Sequence, residues 1–162
     1  MEINLVDGLY YKEEVLSLFK EYTDLLLSLN PEFEKYLIVQ HYDDEVSDIK
    51  LKYSHPFGRL YLALLDNRAI GCIALRKLDE NRGEVKRLFV RPEGRGMHIA
   101  SFLLRRIIED AKAIGYKELY LDTIPNFSAA IALYKKNGFV ECERYNDSPK
   151  ELPTLFFKKS LV

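Results

Sequence analysis

The chain lacks most of what would mark it for an unusual setting. Its only two cysteines, Cys72 and Cys142, lie far apart with no metal-ligand spacing. They read as two free thiols in a reducing compartment, with no disulfide framework and no metal site. The formal net charge is −1, which leaves no overall electrostatic footprint for nucleic acid. No apolar run is long enough to span a bilayer, and Met1-Glu2-Ile3-Asn4 has neither a basic n-region nor a signal core. A cytoplasmic protein without membrane attachment is the expectation. Internal repeats, linkers and low-complexity segments are also missing. No G-x-G-x-x-G follows an N-terminal strand, which argues against a Rossmann dinucleotide site.

What remains is ordinary globular composition: 162 residues, 48% hydrophobic and 30% charged. That implies one domain over 1–162 with room for a proper core. Ile3 to Val6 reads as a short strand, and Tyr11 to Leu29 as an amphipathic helix. Val15, Leu18, Phe19, Tyr22, Leu25, Leu26 and Leu29 mark its apolar face. Asn30-Pro31 ends that helix. Residues 32–52 suggest further helix, with Asp43-Asp44-Glu45 as a solvated helix start. Arg59 to Leu65, Ala69 to Lys77 and Glu84 to Val90 are strands joined by short polar turns, one of them Asp66-Asn67. They form an antiparallel meander and not βαβ units. After a long helix ending near Gly115, Lys117 to Thr123 is a strand parallel to the third meander strand, because a helix connects the two. Asn126 to Asn137 is another helix, capped by Gly138. Phe139 to Tyr145 and Thr154 to Lys159 complete the strands.

The stretch Gly83 to Ala111 organises the rest. Its strand stops at Pro92, which cannot continue a ladder. A loop with Gly94, Arg95 and Gly96 then enters a helix whose face carries Ile99, Phe102, Leu103, Ile107 and Ile108. Strand, glycine loop and helix N-terminus bring unpaired N–H groups and the positive dipole end together. This is an anion site suited to pyrophosphate, and an arginine supplies a fixed cation. Two registers compete. Arg91 to Gly96 fits R-x-x-G-x-G as written, and Arg95 to Ala100 fits R-x-x-G-x-[GA] except at His98. The second runs straight into the helix whose free N–H groups must bind, and is preferred.

In this register the chain resembles the GCN5-related N-acetyltransferase (GNAT) family, whose loop commonly reads V-x-P-x-x-R-G-x-G-[IL]-[GA]. Val90, Pro92, Arg95, Gly96, Ile99 and Ala100 hold those places, and His98 replaces the middle glycine. Asn126 to Phe139 is similar to N-x-x-A-x-x-L-Y-x-x-x-G-F, and Glu84 to Val90 resembles the E-[LM]-K-R-L-[YF]-V of one branch of small bacterial members. Together the matches run from about Pro56 to Pro149.

The resemblance implies an α/β (α+β) GNAT fold. Its mixed central sheet would have about six to seven strands, an antiparallel N-terminal meander, a splayed parallel pair in the middle and about four flanking helices. It implies acetyl transfer from acetyl-CoA, as co-substrate, to an amine, with no metal. Backbone N–H groups of Arg95, Gly96, Met97, His98, Ile99, Ala100 and Ser101 would hold the pyrophosphate. Main-chain groups of Leu88 and Val90 would pair with the pantetheine arm, and an N–H near Leu88 or Phe89 would polarise the thioester. Asn126 would bond the pantetheine or thioester end, and Tyr134 would protonate the departing thiolate.

Glu84 is the candidate base, acting through water, in which case an apolar pocket should raise its pKa. Its structural alternative is an ion pair with Lys86 or Arg59. Lys86 and Arg87 are read as one solvated and one pocket-lining cation. For His98, the reading is a side chain pointing harmlessly away from the phosphate. The acceptor is left open among polyamine, aminoglycoside, amino acid and protein N-terminus, and the oligomeric state between monomer and homodimer. The competing class is a CoA-binding sensor or interaction module without turnover.

Overall fold

Alternation and helical periodicity sort residues 2–162, those described by the computed structural model, into seven strands and six α-helices. In chain order these are β1 (Ile3–Asp7), α1 (Lys12–Leu29), α2 (Phe33–Val39), α3 (Tyr42–Ser47), α4 (Ile49–Tyr53), β2 (Arg59–Leu65), β3 (Arg68–Lys77) and β4 (Arg82–Val90). They are followed by α5 (Ile99–Ile114), β5 (Glu118–Thr123), α6 (Ser128–Lys136), β6 (Val140–Cys142) and β7 (Leu155–Ser160). The strands form one sheet in the order β1-β2-β3-β4-β5-β7-β6. Every neighbouring pair is antiparallel except β4–β5. Between β2 and β3, Asp66 and Asn67 both take positive φ, 49° and 68°. That handedness matches the twist of the flanking strands.

The alternation of β3 divides the core. Ile73 and Leu75 point to the side covered by α5, which buries Ile99, Leu103, Leu104, Ile107, Ile108 and Ala111. Cys72 and Ala74 point the other way, under Val15, Leu18 and Phe19 of α1. Each such fully buried aliphatic side chain stabilises the fold by roughly 1.5–3 kcal/mol. Phe102, expected in the core face of α5, is instead 42% exposed. Leu104 takes a buried place because the stripe is centred a little further round the helix. The apolar face of α1 is wider than the core needs. Tyr22, Leu25 and Leu29 line a cavity beside it.

Residues 32–52 break into three short helices, so six helices stand where about four were expected. The expected strand Phe139–Tyr145 is paired only at Val140–Cys142. After Cys142 the chain leaves the sheet: Arg144 donates to Ser148 Oγ at 2.9 Å, and Tyr145 turns inward.

Two departures of β4 from a regular ladder position the site. Cys72 pairs with Phe89 but Ala74 with Lys86, so Ile73 alone faces Arg87 and Leu88. This is a β-bulge, with Arg87 in the left-handed region at φ 59°. The extra residue puts two successive cations, Lys86 and Arg87, on the side of α1 to α4. The second departure is from β5. Only Arg82–Glu84 pair with Glu118–Tyr120, whereas β5 stays paired with β7 up to Thr123↔Leu155. Beyond Glu84 the two parallel strands part.

Candidate active site

The lower end of the site is made of backbone. After a single 3-10 turn at Pro92–Gly94, the chain runs through Gly96 (φ 80°) and His98 (φ 60°) into α5. Phe102 N–H is the first to find a helical acceptor, His98 O at 3.0 Å. Among the described residues, no backbone N–H from Gly96 through Ser101 has a protein acceptor. Such a row at a helix start is an anion cradle.

The two glycines of the loop do different work. A Cβ on Gly94 would lie 2.6 Å from Ile70 Cγ1 and 3.0 Å from Ile99 Cδ1, whereas one on Gly96 would meet nothing within 4 Å. Gly94 lets strand and helix pack; Gly96 supplies the turn. Arg91 is not available to a ligand. Its guanidinium grips Glu21 at 2.9 and 3.0 Å from Nε, and donates to Ala69 O at 2.8 Å. Arg95 is exposed and lines the neighbouring cavity, which favours the second register. His98 is exposed too. It occupies the left-handed conformation that glycine adopts without cost and other residues only at about 1–2 kcal/mol.

The middle of the site is the gap between β4 and β5, a cavity of about 560 Å³. Val85 to Val90 form one wall, Asp122, Thr123 and Asn126 another, and Tyr134 and Leu133 of α6 close it. Leu88, Phe89, Val90, Arg95, Ala100, Asn126 and Tyr134 therefore come together on one cleft, whereas Glu84 does not line it. Tyr134 is 6% exposed and packs on Phe139 and Phe157. Its hydroxyl makes no protein hydrogen bond among the described residues, and burial pushes its pKa well above the ordinary phenol range.

The upper end is a second cavity of about 470 Å³, lined by α2, α3 and α4, by Arg76, Glu84 and Lys86 from the sheet, and by Tyr145 to Ser148. Its floor is a set of buried charges. Glu84 is 1% exposed and accepts from Arg76 Nε at 2.6 Å and Tyr145 Oη at 2.5 Å. Lys86 Nζ lies 4.0 Å from it. Glu45, 3% exposed, receives Arg87 at 2.8 and 2.9 Å and Lys52 at 2.8 Å. Tyr36 donates to Asp122, as does Asn146 Nδ2 at 2.7 Å. Tyr36 and Lys86 line both cavities.

The charges set the chemistry. Burial alone would raise the Glu84 carboxyl, but Lys86, Arg76 and the Tyr145 hydroxyl outweigh it and hold it below the ordinary range. A raised pKa, the condition for Glu84 as base, is not met, because its pocket is ionic where an apolar one was expected. The same contest at Glu45, burial against Arg87 and Lys52, leaves its pKa at about 2. For Lys86 burial wins over the attraction of Glu84 and Asp122, and its pKa falls to about 8.

Several expectations change. The partner of Glu84 is Arg76, with Lys86 further off; Arg59 sits 3.5 Å from Asp110 instead. Neither Lys86 nor Arg87 is solvated, at 6% and 4% exposure. Asp43 and Asp44 are a solvated helix start, but Glu45 is buried. A signal existed for it: Glu45 shares the helical phase of Tyr42, Val46 and Ile49, which pack on the core. Arg76 faces Glu84 across the β3–β4 pair, which is read only once the strand register is known, and Tyr36 carried no signal because Asp122 lies 86 residues away.

A cradle of free N–H groups, a cleft between parted strands and a charged cavity adjoining it define a class. Their shapes and charges suit a domain that brings an extended, anionic ligand against a second, polar one. Residues 19–139 match the model of the Acetyltransferase (GNAT) family, and the chain belongs to that family. It is 36% identical over 120 residues, 73% of its length, to an uncharacterized N-acetyltransferase of Schizosaccharomyces pombe, of which that covers 74%.

The fold is similar to a GNAT-family acetyltransferase of Staphylococcus aureus, with a TM-score of 0.76, 26% identity and coverage of 99% of this chain and 100% of the other. It is also similar to the PaiA N-acetyltransferase of Thermoplasma acidophilum in complex with coenzyme A, with a TM-score of 0.75, 22% identity and 99% coverage of both chains. The chain is thus an acyltransferase with the GNAT fold, of a family that acylates amines. Among the described residues no helix is long and apolar enough to cross a membrane, and no cluster of His, Cys, Asp and Glu is suited to a metal ion.

Proposed function

We propose that the chain moves the acetyl group of acetyl-CoA to a primary amine, small molecule or peptide, by direct attack with both substrates bound together. The observation that carries this reading is that two cavities, one entered from the phosphate cradle and one from α2 to α4, meet at Tyr36 and Lys86. The pyrophosphate is held by the N–H groups of Gly96, Met97, His98, Ile99, Ala100 and Ser101, with the Arg95 guanidinium beside them; the Arg95 N–H, expected to join them, is spent on Pro92 O at 3.2 Å. The pantetheine arm enters between β4 and β5, where main-chain groups of Leu88 and Val90 stand free of β5. An N–H near Leu88 or Phe89, next to the bulge, polarises the thioester carbonyl. Asn126, exposed at the lip of this cleft, bonds the thioester end. Tyr134 donates its hydroxyl proton to the departing sulfur.

Glu84 remains a site residue on the acceptor side. Held as an anion, it orients the incoming ammonium and the water around it. Cys72 and Cys142 are free thiols, in keeping with a cytoplasmic protein. As a monomer or homodimer it has β1 and β6 as the sheet edges available for pairing.

Calorimetric titration with acetyl-CoA, beside CoA release with a panel of amines, tests the reading. One-site binding and release with one amine class is expected. Binding without release from any amine would leave a CoA-binding module, and no binding would remove the cradle assignment.

A further inference from the structure

We infer that Lys86 is a catalytic residue: its ε-amine, at the junction of the two cavities, takes the proton that the acceptor amine must lose. The inference rests on the acetyl-transfer reading above and replaces Glu84 as proton acceptor. Three geometric facts carry it. The Lys86 side chain is 5% exposed, so its amine is withdrawn from bulk water. It makes no protein hydrogen bond among the described residues, its nearest carboxylate oxygen being Glu84 Oε1 at 4.0 Å. And it lines both the cleft between β4 and β5 and the cavity of α2 to α4. Of the two residues shared by the cavities, Tyr36 has its hydroxyl committed to Asp122. Lys86 is the one left free to act. Both oxygens of Glu84, by contrast, are occupied by Arg76 and Tyr145.

The bulge explains why a lysine sits there. By placing Lys86 and Arg87 on one side, it lets Arg87 neutralise Glu45 and leaves Lys86 over. The groups facing Lys86 are Glu84 on its own strand, Asp122 from β5, Arg87 across the bulge and Lys52 from α4. Arg76 and Tyr145 stand behind Glu84, and Tyr36 stands over Asp122. Burial outweighs the attraction of Glu84 and Asp122, with Arg87 and Lys52 adding repulsion, and the pKa settles at about 8. A buried lysine with so low a pKa is neutral in part at working pH and is suited to general-base work.

The step balances. The amine nitrogen bonds to the thioester carbonyl carbon, the C–S bond breaks, and the nitrogen's proton passes to the Lys86 amine. The thiolate takes a proton from Tyr134, which lines the same cleft and recovers one from the Lys86 ammonium through solvent there.

Lys86→Met and Lys86→Arg test this against the alternative of a fixed positive charge at the thioester oxygen. Both variants should bind acetyl-CoA within about threefold of wild type by calorimetry. Both should lose about 100-fold or more in kcat with the amine the wild type uses. The rise of wild-type kcat through a midpoint near pH 8 should be absent from the residual activity. Lys86→Arg keeps the charge but cannot release a proton. If it retains kcat within tenfold, or the pH limb survives in either variant, the proton-transfer role is overturned. A wild type that releases no CoA with any amine fails the acetyl-transfer reading itself and takes this inference with it.

Discussion

The two ends of the site are built from different materials. The phosphate end is backbone: free N–H groups from Gly96 through Ser101, one left-handed glycine and an exposed arginine, within a few consecutive residues. The acceptor end is side chain: Glu84 with Arg76 and Tyr145, and Glu45 with Arg87 and Lys52, drawn from α3, α4, β3, β4 and the segment after β6. A backbone cradle carries no desolvated charge, so it costs little stability. A buried ionic floor must balance large desolvation penalties against close pairing. The acceptor end should therefore dominate the response of the fold to mutation and pH, and the phosphate end should respond mainly in ligand affinity.

The largest test of that contrast is Glu45→Ala, which strands Arg87 and Lys52 without a partner. Unfolding in urea should show a loss of about 3–5 kcal/mol. Acid should act in the same direction. The folded pKa of Glu45, about 2, lies below its ordinary 4.5. Its contribution is present above pH 4.5 and lost as pH falls toward 2, by about 3 kcal/mol. An unchanged acid transition in Glu45→Gln would show that the ionic floor does not set stability.

Next is Tyr134→Phe, at the thioester. Loss of the proton donor should lower kcat by about 100-fold, with acetyl-CoA affinity unchanged in calorimetry. An equal loss in binding would make Tyr134 a packing residue of the cleft.

Lys86→Met should move stability the other way. The folded pKa, about 8, lies below the ordinary 10.5, so the folded state holds fewer protons between those values and stability rises with pH there. Below pH 8 the full cost of the buried ammonium is present. Removing it should raise stability by up to about 3 kcal/mol at pH 7, with the gain fading toward pH 10.5. A destabilised Lys86→Met would mean that its attraction to Glu84 exceeds its burial cost.

The smallest effect belongs to the phosphate end. His98→Gly relieves a side chain at φ 60°, worth about 1 kcal/mol. Because the free protein carries that strain as well, its relief should raise stability by no more than about 1 kcal/mol, offset in part by the freedom glycine adds to the unfolded chain, and should leave acetyl-CoA affinity within about twofold. Weaker binding would show that the imidazole itself contacts the phosphate.

The same contrast decides what could be read in advance. The cradle was legible because its parts are adjacent: Pro92 stops the strand, Gly96 makes the turn, and the 3.6-residue period of Ile99, Leu103 and Ile107 announces the helix. The antiparallel meander and the parallel pairing of β5 followed from short turns and an intervening helix. Glu84 was legible as a site residue but not in its charge state, since Arg76 and Tyr145 lie 8 and 61 residues away. Phe102 was misplaced because periodicity fixes a stripe only to within one side chain.

By itself, then, the sequence determined the order of elements and the cradle loop, because each depends on local geometry, and it pointed to the cleft residues Leu88, Asn126 and Tyr134 through the family resemblance that its motifs carry. Only the tertiary structure decided which buried cation is left without a hydrogen-bonded partner. That is a matter of charge balance, and the balance was struck when the bulge at Arg87 turned two neighbouring cations to one side. Arg87 met Glu45, and Lys86 met the space between the two cavities.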